Sequence, residues 1–210
     1  MDPSPEAAPE AARRSRQLAK AETREALINA GISLFSEQGF DQPSLDAICS
    51  HAGYTRGAFY VHFADREAFI VAVMDTVLRG FIDAIIASGG GALDLERSVQ
   101  TFVAAATAGA FPLEGSVRLH HFLAACARSE AIRSRYVELV RGAMRRVAAA
   151  ARAGQKAGTV RPDVDADQIG ALLVALVLGV EVMLQTQTPF DLDAGGSSVL
   201  QLLRPHSDRS

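Results

Sequence analysis

Apolar residues recur at three- and four-residue spacing through most of this chain, and no run alternates with the two-residue period of a half-buried strand. The pattern predicts an all-α protein. Leu27, Ile28, Ile32, Leu34 and Phe35 mark a first amphipathic helix over 23–37, and Gly39 stops it as a glycine just past a helix end does. Ser44, after Pro43, is placed to cap a short second helix that carries Leu45, Ile48 and Cys49 on one face and closes at Gly53. Thr55, two residues on, caps a third helix running to about Phe63, and Asp65 caps a fourth in which Phe69, Val73 and Val77 share a side. The glycine cluster at 88–92 ends that helix. Further helical patterns run through Leu95, Val99, Phe102 and Ala106, over 117–126, and from Ile132 to near Gly158. An apolar helix then spans 168–185, capped by Asp165 or Asp167, and a short last helix covers 198–203.

The turn between the second and third helices leaves room for a helix-turn-helix, in which the second helix of the pair enters the major groove of double-stranded DNA. Arg56, at the first helical position after Thr55, carries a planar guanidinium suited to bidentate contact with guanine. The Thr55 cap leaves backbone N–H groups for a phosphate. Gly57 and Ala58 are small enough for close approach, while Phe59 and Phe63, four apart, should face inward. Tyr60 offers a hydroxyl to the DNA backbone, and Arg66, in the first turn of the fourth helix, is spaced to meet the same stretch as Tyr60 and His62. The same spacing also suits a plain corner of two helices with a polar surface. Ahead of it, Arg13, Arg14, Arg16 and Lys20 are gathered without an acid in a chain whose net charge is −3, which fits a basic arm that follows phosphates or a solvated tail.

With 210 residues and 49% apolar content the chain can bury one large or two small cores. Its two cysteines, Cys49 and Cys126, stand far apart with no CxxC spacing, which points to a reducing compartment. The N-terminal stretch turns from acidic to basic without an apolar core, unlike a secretory signal, so a cytoplasmic location is expected. The 168–185 segment is apolar nearly all round, but its uncharged part reaches only about a dozen residues before Glu181, short of the roughly 20 a membrane span takes. No membrane partner is expected. Ala171, Ala175 and Gly179 recur every four residues along it and would let a second helix approach closely, so a homodimer seam is expected here. A central helix of a monomer is the alternative.

The run TREALINAGISLFSEQGFDQPSLDAICSHAGYTRGAFYVHFADREAFIVAVM, 23–74, resembles the DNA-binding domain of the TetR family of bacterial transcriptional regulators. The likeness rests on "AGISLFSEQGF", "SLDAI", "AGYTRGAFYVHF" and "DREAF", about fifty residues in all. It implies DNA-backbone contacts from Ser44, Thr55, Tyr60, His62 and Arg66, and base reading by Arg56 with Tyr54 and Gly57 beside it. Val61 stands where the family often carries a larger aromatic or polar residue, and Arg66 where a lysine is more usual.

The resemblance also implies an architecture: an N-terminal three-helix helix-turn-helix domain joined by a connecting helix to a C-terminal helical bundle for ligand binding and dimerisation. The expected organisation is a disordered, partly basic arm over 1–22, the DNA-binding domain over 23–68, the bundle over 69–204 and a tail over 205–210. Partners would be operator DNA, a second copy and an unidentified small-molecule effector, with no cofactor. Bulky or polarizable residues expected near the effector pocket are Phe102, Phe111, His120, Phe122, Cys126, Tyr136, Met144 and Met183. The function implied is a sequence-specific repressor released by ligand. A ligand-independent DNA-binding dimer and an all-α protein-interaction module are the alternatives. For catalysis the chain lacks HExxH, GxSxG, P-loop and strand-borne GxGxxG patterns, and no metal site is expected, since the adjacent His120 and His121 diverge on a helix.

Overall fold

The computed structural model describes residues 7–87, 94–108 and 117–205, with the side chains of 7–12, 81, 82 and 84–87 left aside. Among the described residues the ordered structure is entirely helical, in the order α1 (Ala7–Gln38), α2 (Leu45–Ala52), α3 (Arg56–His62), α4 (Arg66–Ala87), α5 (Leu95–Thr107), α6 (Leu119–Arg128), α7 (Glu130–Ala157), α8 (Ala166–Gln185) and α9 (Leu192–Leu203). The chain divides into two compact units, Met1–Val73 and Met74–Ser210, with the boundary inside α4.

In the first unit, α1 packs against α2 and α3 around Leu27, Phe35, Ile48, Phe59 and Phe69, all fully buried. Ring centroids of Phe59 lie 5.2 Å from both Phe63 and Phe69, and Phe35 lies 4.8 Å from Phe40, so one aromatic cluster holds the helices together. Gly31 admits the Phe69 ring: a Cβ there would come within 2.6 Å of it. α1 starts at Ala7, so the described part of the N-terminal arm, expected to be disordered, is a continuation of the first helix. The alanine, arginine, glutamine and lysine of that stretch are good helix formers, and a helix already nucleated by the packed 27–35 segment extends at one hydrogen bond per residue.

In the second unit α8 lies along α7, α6 lies against both, and α5 pairs with α9. Gly170 sets the closest α7–α8 approach, since a Cβ there would stand 2.5 Å from the Met144 carbonyl oxygen. The Gln155 amide bridges the carbonyls of Arg161 and Val164 at 3.0 and 2.7 Å, shaping the loop from α7 to α8. α9 begins six residues earlier than the sequence pattern suggests, under an Asp191 cap that accepts from the Ala194 N–H. Gly195 and Gly196 lie inside it and make contact: a Cβ on Gly196 would come within 2.8 Å of Val99 of α5. The glycine cluster at 88–92 lies outside the described residues.

α8 is 20 residues long and apolar enough to meet the length and composition of a membrane span. Of its two acids, Asp167 is exposed in the first turn and Glu181 is buried, and the helix carries an open apolar face on which Leu172, Ala175, Leu176, Gly179, Val182 and Met183 fall at one helical register.

Candidate functional site

The helix-turn-helix is built by local chemistry. Ser44 Oγ accepts from the Ala47 N–H at 3.1 Å, and Thr55 Oγ1 from the Ala58 N–H at 3.2 Å, so each helix of the pair starts at its own cap. Gly53 sits at φ 75° between them, and the Tyr54 N–H returns to the Cys49 carbonyl at 2.9 Å. α3 turns Phe59 into the core and leaves Arg56, Gly57, Tyr60 and Val61 exposed. Arg56 donates a hydrogen bond to the Tyr60 hydroxyl and lies 3.5 Å from Asp46 of α2, and both neighbours push its pKa up. A Cβ on Gly57 would meet only Thr55 Oγ1, at 3.6 Å, which leaves this face of α3 low and open.

Of the residues assigned to DNA from sequence, Ser44, Thr55, Arg56, Gly57 and Tyr60 are exposed on this surface, and Tyr54 and His62 are half-buried at its edge. Arg66 is placed differently. Its guanidinium donates to the carbonyls of Phe40 and Pro43 at 2.6 and 2.7 Å and lies 5.9 Å from the Phe35 ring, so it ties the α1–α2 connection and is occupied within the unit. Burial pushes its pKa down, opposed by Asp41. Both bonds are donated by one terminal nitrogen, Nη2, on which the two carbonyls converge.

The surface also gains Arg24, which sequence reading passed over, and an order among the basic residues of the arm. With α1 helical, Arg13, Arg16, Lys20 and Arg24 fall three and four apart along one exposed stripe. Its end reaches α3: the Arg24 guanidinium lies 5.4 Å over the Phe63 ring, and burial, Lys20 and Arg24 together hold the His62 pKa down. The spacing was present in the sequence but meaningless for an arm taken as disordered.

The second unit holds a partly open apolar pocket of about 130 Å³ between α4, α5, α7, α8 and α9. Phe102 lines it, with aliphatic residues such as Val103, Val140 and Val177. The other expected lining residues lie elsewhere. His120, Phe122, Cys126 and Tyr136 gather where α6 meets its neighbours; the Phe122 and Tyr136 rings stack at 6.4 Å, and burial pushes the Cys126 thiol and the Tyr136 phenol up. Met144 is half-buried with its carbonyl against Gly170, Met183 is on the open face of α8, and Phe111 lies outside the described residues. The cavity escaped prediction because large side chains were favoured as lining, whereas aliphatic residues on five helices make most of its wall.

Glu181 organises a separate polar chain. Its carboxylate accepts from the Gln185 amide and from the Leu119 N–H at the start of α6; Gln185 Oε1 in turn pairs with His120 Nδ1 at 2.9 Å. Arg118, the capping residue of α6, makes no side-chain cap bond, so the acid from α8 fills that role. Burial pushes the Glu181 carboxyl up, against Gln185, Arg118, the Leu119 N–H and His120, which favour its charge.

A capped two-helix turn with an exposed recognition helix in one unit, and an apolar cavity in a second helical unit, define a helix-turn-helix protein of two units. Residues 27–73 match the family described as bacterial regulatory proteins, tetR family, and residues 117–190 match the tetracyclin repressor-like C-terminal domain. The chain belongs to the TetR family. It is 50% identical over 46 residues, 22% of each chain, to the transcriptional repressor BepR of Brucella suis. The chain spans 40% or less of the length of the first curated relatives it matches. It has the fold of reduced NemR from E. coli, with a TM-score of 0.72, 20% identity and coverage of 88% of this chain and 99% of that one. It also has the fold of a SmeT–triclosan complex, with a TM-score of 0.64, 24% identity and coverage of 86% and 88%.

Proposed function

We propose that the chain is a homodimeric transcriptional regulator that binds operator DNA in the cytoplasm and is released from it by a small-molecule ligand. The observation that carries this reading is the exposed face of α3, where Arg56 and Tyr60 stand clear of a packed core on a helix started by the Thr55 cap. Arg56 is suited to guanine in the major groove. Ser44, Thr55, Tyr60 and His62, with the basic stripe of α1, are suited to phosphates on either side. Tyr54 and Gly57 border the reading surface.

One helix-turn-helix reads one half-site, and two copies must hold their recognition helices about 34 to 36 Å apart, or a multiple, to enter successive grooves. The open apolar face of α8 supports a second copy as its cover, since contiguous apolar surface of this kind marks an interaction site. Ala175 and Gly179 are exposed within that face, while Ala171 is half-buried at its margin, so the proposed seam is wider than the small-residue stripe and includes Leu172 and Leu176. Ligand that prefers a bundle conformation with the wrong helix spacing lowers DNA affinity by its differential binding to the two states. One structural neighbour was solved with triclosan, which supports a small-molecule effector for the bundle.

The test is a fluorescence-anisotropy titration of the full chain against the DNA upstream of its own gene and against random DNA, over a salt series. Specific binding should exceed non-specific binding by about a thousand-fold or more. Arg56→Ala should remove roughly five- to 150-fold of the affinity for the specific site and relax its sequence preference. Equal affinity for both DNAs would refute the reading.

A further inference from the structure

The cavity wall carries a decision about ligand chemistry. Among its described lining residues Ser98 has the one polar side chain, and that residue has a partner of its own. No buried side-chain nitrogen or oxygen among the described residues lacks a hydrogen-bond partner, so the Ser98 hydroxyl is the most the wall's side chains can offer a polar guest. The buried acid of α8, Glu181, does not line the cavity and is already held by Gln185 and the Leu119 N–H. A charged guest would give up its hydration here and receive no charged partner in exchange.

The size is equally limiting. The space of about 130 Å³ is close to the roughly 150 Å³ of a dry, aliphatic cavity known to accept benzene. Its walls are fixed on the α5–α9 side, where Gly196 leaves no gap against Val99 and Val103. Phe190, part of the lining and itself partly exposed, rests on Gly195 so closely that a Cβ there would stand 2.8 Å from the ring. It offers a way in at the rim.

We propose that this cavity binds an uncharged, hydrocarbon-like molecule about the size of one aromatic ring, selected by shape and without a hydrogen-bonded anchor. The proposal rests on reading the bundle as the effector-binding unit and adds the effector's chemical class. Phe102 sets the size limit, because it is the largest side chain of α5 in the wall.

The experiment uses the full chain with toluene as probe, and benzoate and benzylammonium as charged compounds with the same ring. Toluene should raise the thermal midpoint and shift the methyl resonances of Val103, Val140 and Val177, while both charged compounds bind at least about a hundred-fold more weakly. Val103→Phe should fill the space and abolish the toluene effect with the helical circular-dichroism spectrum retained. Phe102→Ala should extend binding to naphthalene, and it serves if Val103→Phe does not fold. Binding of either charged compound as tightly as toluene, binding of toluene away from these methyls, or no toluene binding would overturn the proposal. DNA affinity is measured alongside: toluene binding with unchanged DNA affinity supports this inference while refuting ligand-driven release, and DNA binding without toluene binding does the reverse.

Discussion

Replacing Arg66 by alanine separates two roles that the same side chain could play. In the structure its guanidinium makes two charge-assisted hydrogen bonds, to the carbonyls of Phe40 and Pro43, and lies over Phe35. Such bonds are worth about 1.5 to 3 kcal/mol each, and an exposed cation–π contact about 0.5 to 1. The residue is only half-buried and both carbonyls can turn to water once it is gone, so the lower end applies with a further discount, leaving a loss of about 2 kcal/mol. For a unit of this size that is a fall of roughly 8 to 16 °C in midpoint. Arg66→Lys keeps a charged donor for these carbonyls and should recover part of it. Urea unfolding followed by circular dichroism gives the stability, and the slope of log K against log salt on random DNA counts phosphate contacts. The slope should stay at the wild-type value. A variant as stable as wild type whose slope drops by about one would show that Arg66 reaches a phosphate and that its carbonyl contacts are incidental.

Thr55→Ala should cost about 1 kcal/mol in urea unfolding and weaken DNA binding, with Thr55→Ser close to wild type; an equal loss for both would mean the hydroxyl cap is not what starts α3. Ala175→Phe places a ring on the outward face of α8, so the chain should stay folded yet sediment as a monomer at micromolar concentration and bind DNA weakly; an intact dimer would move the seam elsewhere. Gly170→Ala forces α7 and α8 apart at the Met144 carbonyl, costing about 1 to 3 kcal/mol less the roughly 1 kcal/mol that alanine gains over glycine in a helix; a variant more stable than wild type in urea would contradict the close approach. Glu181 has a raised carboxyl pKa, so its contribution to stability is complete below about its ordinary 4.5 and is lost as pH rises through the folded value. Glu181→Gln escapes that loss, and the stability of the variant relative to wild type should climb from pH 4.5 to neutrality; a pH-independent difference in urea midpoints would reject the assignment.

What the sequence revealed was local. The caps at Ser44 and Thr55 and the left-handed Gly53 act within three to five residues, so their pattern is readable before any fold is known. The Arg66 contacts could not be read because its partners lie 26 and 23 residues away and are backbone atoms, which leave no trace in composition. The arm was misread because a helix extended from a packed segment needs no apolar face of its own. The last helix was begun six residues too late because contact of Gly195 with Phe190 and of Gly196 with Val99 supplies what their propensity lacks. The cavity stayed hidden because α8 is apolar on nearly every side, and periodicity says nothing about which of those sides meets empty space.

The Glu181 bond to the Leu119 N–H means that the beginning of α6 is encoded sixty-two positions downstream, in another helix. Evolution can therefore vary position 118 freely only while 181 stays acidic. Relatives that replace Glu181 with an aliphatic residue should carry serine, threonine, aspartate or asparagine at 118, and relatives that keep the acid should not. Such a compensated pair would be recorded in sequence comparisons as covariation between two sites with no shared face. Amide exchange of Leu119 is its physical counterpart: that proton should exchange no faster than the α6–α8 contact opens, whereas an ordinary first-turn amide frays with its own helix.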